Sequence, residues 1–74
     1  MQDTNTAVAA EVRAAIARAG LTQSEVARRA DIAANTLSAK IRGIRGFSVD
    51  ELIRIAHALD IEPSSLIPSA QVAA

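Results

Sequence analysis

The side chains able to do acid–base or nucleophilic chemistry are few and scattered. His57 is the single imidazole of the 74-residue chain, which contains no cysteine, so disulfides and thiolate metal sites are excluded. His57 stands between Ala56 and Ala58 in an expected helix, where an exposed polar position explains it better than a ligand or a base. Asp50 and Glu51 are adjacent carboxylates at a helix start, and capping with the helix dipole accounts for them without general acid–base work. No glycine-rich phosphate loop and no metal-ligand spacing is present. An enzyme is therefore the least favoured class, and no cofactor or metal is expected.

Hydrogen bonding by a cluster of polar and cationic side chains is the chemistry that remains. Residues 28–45 hold Arg28, Arg29, Lys40, Arg42 and Arg45 against Asp31 alone, although the whole chain has zero net charge. The flanks compensate: Arg54 faces Asp50, Glu51, Asp60 and Glu62 on one side, and Arg13 and Arg18 face Asp3, Glu11 and Glu25 on the other. A dipolar domain of this kind can meet a polyanion with one side and stay neutral overall. Charge alone does not separate that reading from an ordinary solvated surface.

The elements that position these residues are short and helical. Half of the residues are hydrophobic, only Phe47 is aromatic, and alanine supplies much of the rest, a composition suited to closely packed helices. Val8, Val12 and Ile16 recur every fourth residue and predict a first helix over 6–19, stopped by Gly20. Thr22 with Glu25 forms a capping box and Leu21 with Val26 a hydrophobic staple, so a second helix starts there and ends near Ala30, with Asp31 in the turn. A third covers 33–41 and is closed by Gly43; its start is poorly capped, because Ala33 and Ala34 stand where Ser, Thr, Asp or Asn is favoured. Ser48 with Glu51 and Phe47 with Leu52 repeat the box and the staple. The fourth helix then buries Leu52, Ile55, Ala56 and Leu59. Pro63 opens a short fifth helix containing Leu66, and Pro68 ends it. The expected organisation is a disordered amino terminus over 1–5, one domain over 6–67 and a flexible tail over 68–74.

Two short helices joined by two or three residues must cross steeply, as in a helix-turn-helix unit. Ala27 and Ala30 are small enough to let them approach, and Ile32 with Leu37 plugs the corner. With Leu37 and Ile41 inward, the outer side of the third helix carries Ala34, Asn35, Ser38, Ala39 and Arg42, and Thr36 is counted with them. A DNA major groove about 12 Å wide admits such a helix: Asn pairs with adenine, Ser bonds several base edges and Ala touches a thymine methyl. Gln23 at the start of the second helix suits a phosphate, and Arg42, Arg45 and Lys40 suit phosphates at the other end.

From "LTQSEVARRADI" through "NTLSAKIRG" to "FSVDELIRIAHALDI" and "PSSLI", about two thirds of the chain resembles the Cro and phage-repressor type of helix-turn-helix domain, the XRE family. The resemblance implies an all-α, compact five-helix lambda-repressor-like fold that binds double-stranded DNA. It implies phosphate contact at Gln23, base contact at Ala34, Asn35 and Ser38, and backbone contact at Arg42 and Arg45. The chain departs from the family pattern at three places. Asp31 stands where Gly is common, Lys40 where an apolar residue is common, and Ala33 and Ala34 where polar residues are common. Fewer direct base hydrogen bonds follow, with more weight on methyl contact and DNA shape.

The leading expectation is a sequence-specific transcriptional regulator of the phage immunity repressor kind. Its alternative is a protein-interaction module, an antitoxin or adaptor built on the same domain. Family members generally bind as dimers. The candidates for a self-interface here are Leu66, Ile67 and Val72, which leaves open a weak homodimer, a monomer, or a portion of something larger. No run of about 18 apolar residues exists to span a membrane, and "MQDTNTAVAA" lacks the profile of a signal peptide, so the expected location is cytoplasmic.

Overall fold

Helix α1, Thr4–Ala19, lays Val8, Val12 and Ile16 into the core, with Ala9 and Ala15 beside them. In this computed structural model, which describes residues 4–68, α2 spans Gln23–Ala30, α3 Ala34–Ile41 and α4 Val49–Leu59. Helix α1 begins two residues before the expected start, so Thr4 and Asn5 are helical rather than part of a disordered terminus. The rest of the expected terminal segments, residues 1–3 and 69–74, lies outside the described residues.

The expected fifth helix is instead a single 3₁₀ turn, Pro63–Leu66. Both of its boundaries are set by proline, which pushes the residue before it out of the helical region. Glu62 and Ile67, preceding Pro63 and Pro68, are both extended. Only four residues are left between them, enough for the i→i+3 bonds of Ser65 N to Glu62 O at 3.0 Å and Ile67 N to Ser64 O at 3.2 Å. Four α-helices and one 3₁₀ turn, with no strand, make up the described residues.

All four α-helices end in the same way. A left-handed residue follows each, directly at Gly20, Asp31 and Asp60 and one residue later, past Arg42, at Gly43. The amides that follow turn back onto the last carbonyls, for example Ile32 N to Ala27 O at 2.9 Å and Ile61 N to Ala56 O at 3.0 Å. These are Schellman motifs, in which an apolar residue after the left-handed one folds back onto the helix. Leu21, Ile32 and Ile61 do so, being buried or packed against the core. Ile44, in the corresponding place after α3, is 65% exposed.

Helix α2 packs on α3 and α4, while α1 lies across α3, α4 and the 3₁₀ turn. Their shared centre is formed by Val12, Val26, Leu37, Ile55 and Leu66, all fully buried. The position of Leu66 overturns its expected place on a self-interface, because one 3₁₀ turn inserts it into the chain's own core. Ile67 beside it is exposed, and Val72 lies outside the described residues. No helix of the described residues is long and apolar enough to cross a membrane.

Candidate nucleic-acid interface

The corner between α2 and α3 is set by small and left-handed residues. Ala27 and Ala30 are buried where the two helices meet, and Ile32 and Leu37 close the corner. Asp31 adopts φ 58° and ψ 47°, a conformation that Asp tolerates because its short polar side chain bonds locally. The chain thus makes with Asp the turn for which the family commonly uses Gly.

A residue from α4 completes the corner. Arg54 Nη1 donates to the carbonyls of Ala30 at 3.0 Å and Asp31 at 2.9 Å, while its Nε donates to Asp50 Oδ2 at 3.0 Å. Carbonyls at a helix end have no intrahelical donor, and here a guanidinium supplies one. Sequence reasoning missed this role. Asp50 and Arg54 are visible as an i,i+4 pair on α4, but nothing in the spacing shows the reach across to α2.

The start of α2 realises half of its expected box. Thr22 Oγ1 accepts from Glu25 N at 3.1 Å, but the Glu25 carboxylate turns forward to Arg28 and Arg29 instead of back to the Thr22 amide. The Arg28 hydrogen bond is the main cause of a Glu25 carboxyl held below its ordinary value of 4.5. Gln23 is exposed in this first turn, where backbone N–H groups lack intrahelical acceptors.

On α3, Leu37 and Ile41 are buried, Ala34, Asn35 and Arg42 are exposed, and Thr36, Ser38 and Ala39 are half-buried. Ala33 precedes the helix with no side-chain cap, so its first turn is left to solvent or to a partner. Asn35 and Ser38 form no side-chain hydrogen bond within the described residues. The outer side of α3 is therefore small and polar, open at Ala34, Asn35 and Arg42 and partly covered at Thr36, Ser38 and Ala39.

Lys40 is placed differently from expectation. Its ammonium donates to Glu51 Oε1 at 2.7 Å, to Glu51 Oε2 at 2.9 Å and to the Gly46 carbonyl at 3.1 Å. The two side chains are only 11% and 15% exposed, so Lys40 is turned into the protein and is withdrawn from the phosphate-facing set. The same carboxylate accepts from Ser48 N at 2.8 Å, and Ser48 Oγ accepts from Glu51 N at 3.1 Å, giving α4 a complete capping box. Burial raises the Glu51 carboxyl, but Lys40 and the Ser48 amide outweigh it and hold the group below 4.5.

This clamp fixes the loop after α3. Gly43, at φ 83°, turns the chain out of the helix. Lys40 then holds the carbonyl of Gly46, whose Cα lies so close to α1 that an added Cβ would come within 2.7 Å of the Asn5 side-chain oxygen. Arg42 and Arg45 are carried on this tethered loop. Both are exposed, and neither has an ion-pair partner among the described residues, whereas Arg28, Arg29, Lys40 and Arg54 are all paired.

A capped helix, a small-residue corner closed from α4, and a second helix with an open outer face define a helix-turn-helix domain. The model of the helix-turn-helix family matches residues 12–66, and the chain belongs to that family, in its XRE branch. Its fold is similar to that of the clp gene regulator ClgR from C. glutamicum, with 28% identity, a TM-score of 0.86, and coverage of 100% of this chain and 97% of that one. It is similar also to the restriction-modification controller protein C.AhdI from Aeromonas hydrophila, with 27% identity, a TM-score of 0.81, and coverage of 85% and 96%. A hypothetical transcription factor, NHTF from Neisseria, shares the fold at 23% identity and a TM-score of 0.82, over 96% of this chain and 84% of that one. No curated protein sequence matches significantly.

Proposed function

We propose that the chain is a sequence-specific, double-stranded DNA-binding transcriptional regulator that seats α3 in the major groove. The observation that carries this reading is the small, polar outer side of α3, exposed at Ala34 and Asn35, with two guanidiniums on the tethered loop beside it that have no ion-pair partner among the described residues. In this arrangement Asn35 and Ser38 hydrogen-bond base edges, Ala34, Thr36 and Ala39 make close contact with the groove, and thymine methyls are the apolar partners. Gln23 meets a phosphate at the start of α2, and Arg42 and Arg45 meet phosphates at the far end of α3. Membership of the helix-turn-helix family and likeness to proteins described as gene regulators support the same reading.

Repression by occupancy of the bound site is the finer proposal. Selection of binding sites from random duplex DNA tests the first statement, and a promoter carrying the selected site tests the second. Enrichment of a defined motif, with log K falling steeply as log salt rises, is the expected result. Failure to enrich any motif, or affinity indifferent to salt, overturns DNA recognition. Raised output from the promoter overturns repression.

A further inference from the structure

We propose that the groove between α1 and the end of α3 is a phosphate-binding site in which Arg13 and Arg42 act together. Of the cations in the described residues, only Arg13, Arg18, Arg42 and Arg45 lack an acidic partner. Two of these, Arg13 from α1 and Arg42 from the end of α3, line one groove of about 210 Å³, whose other walls are Thr6, Ala9 and Ala10 of α1 with Ile41 and Gly43. No carboxylate lines it. Two like charges brought to one opening without a counter-ion repel each other, and a bound anion relieves that repulsion. Guanidinium forks match the oxygens of phosphate bidentately, and this groove offers two forks from elements that the core holds in fixed relation.

Arg18 supplies an internal contrast. It lies on the same helix but lines a different groove, with Leu59 and Ile61, and is the sole cation there. The pairing of cations therefore belongs to the Arg13 side of α1.

The phosphate has two sources: the DNA backbone flanking the bases that α3 reads, or a free phosphorylated small molecule. The first rests on the DNA-binding reading proposed above and extends the footprint onto α1. The second stands without it.

Arg13→Gln and Arg18→Gln remove the same charge from the same helix and are compared in two arms. In the first, binding to the selected duplex is measured against salt. A DNA phosphate in the groove predicts a slope reduced by about 0.9 in Arg13→Gln and unchanged in Arg18→Gln. In the second, inorganic phosphate is titrated while the Gly43 amide resonance is followed, with chloride at equal ionic strength as the reference. A free phosphate predicts a saturable shift that Arg13→Gln abolishes and Arg18→Gln keeps. Either pattern supports the site and identifies its source; like behaviour of the two variants in both arms overturns it. If the unaltered chain binds no duplex, the function proposed above falls, and the phosphate titration still judges the groove.

Discussion

The ammonium of Lys40 lies within 2.9 Å of both carboxylate oxygens of Glu51, bridging the last turn of α3 to the first turn of α4. Removing one member of a largely buried pair leaves the other charge without compensation. Lys40→Met is therefore expected to destabilise the domain by roughly 3 kcal/mol, the low end for breaking such a pair. Combining it with Glu51→Gln, which keeps an acceptor for the Ser48 amide, recovers most of the loss. Urea unfolding of the two single variants and the double variant measures the coupling; strict additivity would show that the pair contributes nothing.

The same pair gives stability a defined pH dependence. The folded Glu51 carboxyl lies below its ordinary value of 4.5, because Lys40 and the Ser48 amide outweigh the opposing effect of burial. A depressed carboxylate contributes stability that is complete above its unfolded value and is lost as pH falls through the folded one. The native chain should thus lose stability more steeply than Glu51→Gln as pH drops below 4.5. Thermal unfolding at neutral pH and at about pH 3 tests this, and parallel losses in the two proteins would contradict it.

How much of this was legible in the sequence depends on the distance over which each feature acts. Local signals read correctly: the stripe of Val8, Val12 and Ile16, the box at Ser48 and Glu51, and the corner residues Ala27 and Ala30 all take their expected places. What the spacing did not show is where long side chains go when several partners compete. Glu25 prefers two arginines to the Thr22 amide, Lys40 finds a carboxylate eleven residues away, and Arg54 reaches across to α2. Leu66 was misplaced for a related reason. Two adjacent apolar residues between two prolines, Leu66 and Ile67, have no periodicity to reveal which of them is buried.

The left-handed aspartates predict a gain. Asp60 holds φ 57° at the end of α4, where its carboxylate also faces the negative end of the helix dipole. Asp60→Gly removes both penalties, offset in part by the added freedom of glycine in the unfolded chain, for a net stabilisation of roughly 1 kcal/mol. Asp31→Gly is the comparison, because the Asp31 carbonyl is also a partner of Arg54. A lower melting temperature for Asp60→Gly would refute the strain argument.

Arg54 joins α4 to the corner that aims α3, so its loss should be felt in both stability and recognition. Arg54→Ala leaves the Ala30 and Asp31 carbonyls without their charged donor, at a cost of about 1.5–3 kcal/mol. Arg54→Lys retains the charge but not the fork, and recovers only part of this. Chemical denaturation ranks the three proteins; equal midpoints for Arg54→Ala and the native chain would remove the corner contact from the account.

Base reading and backbone holding make opposite demands on a binding experiment, and that contrast tests the interface most directly. Asn35 is exposed on the outer side of α3, so Asn35→Ala should relax preference at one or two base pairs, by roughly 1–3 kcal/mol each, and leave the salt slope alone. Arg45 is carried on the loop pinned by Lys40, so Arg45→Ala should weaken binding to every sequence alike and lower the slope by about 1. Competition binding with single-base-substituted duplexes at several salt concentrations separates the two. If Asn35→Ala discriminates as the native chain does, α3 does not read bases through that amide. If Arg45→Ala keeps the full salt slope, Arg45 does not touch the backbone.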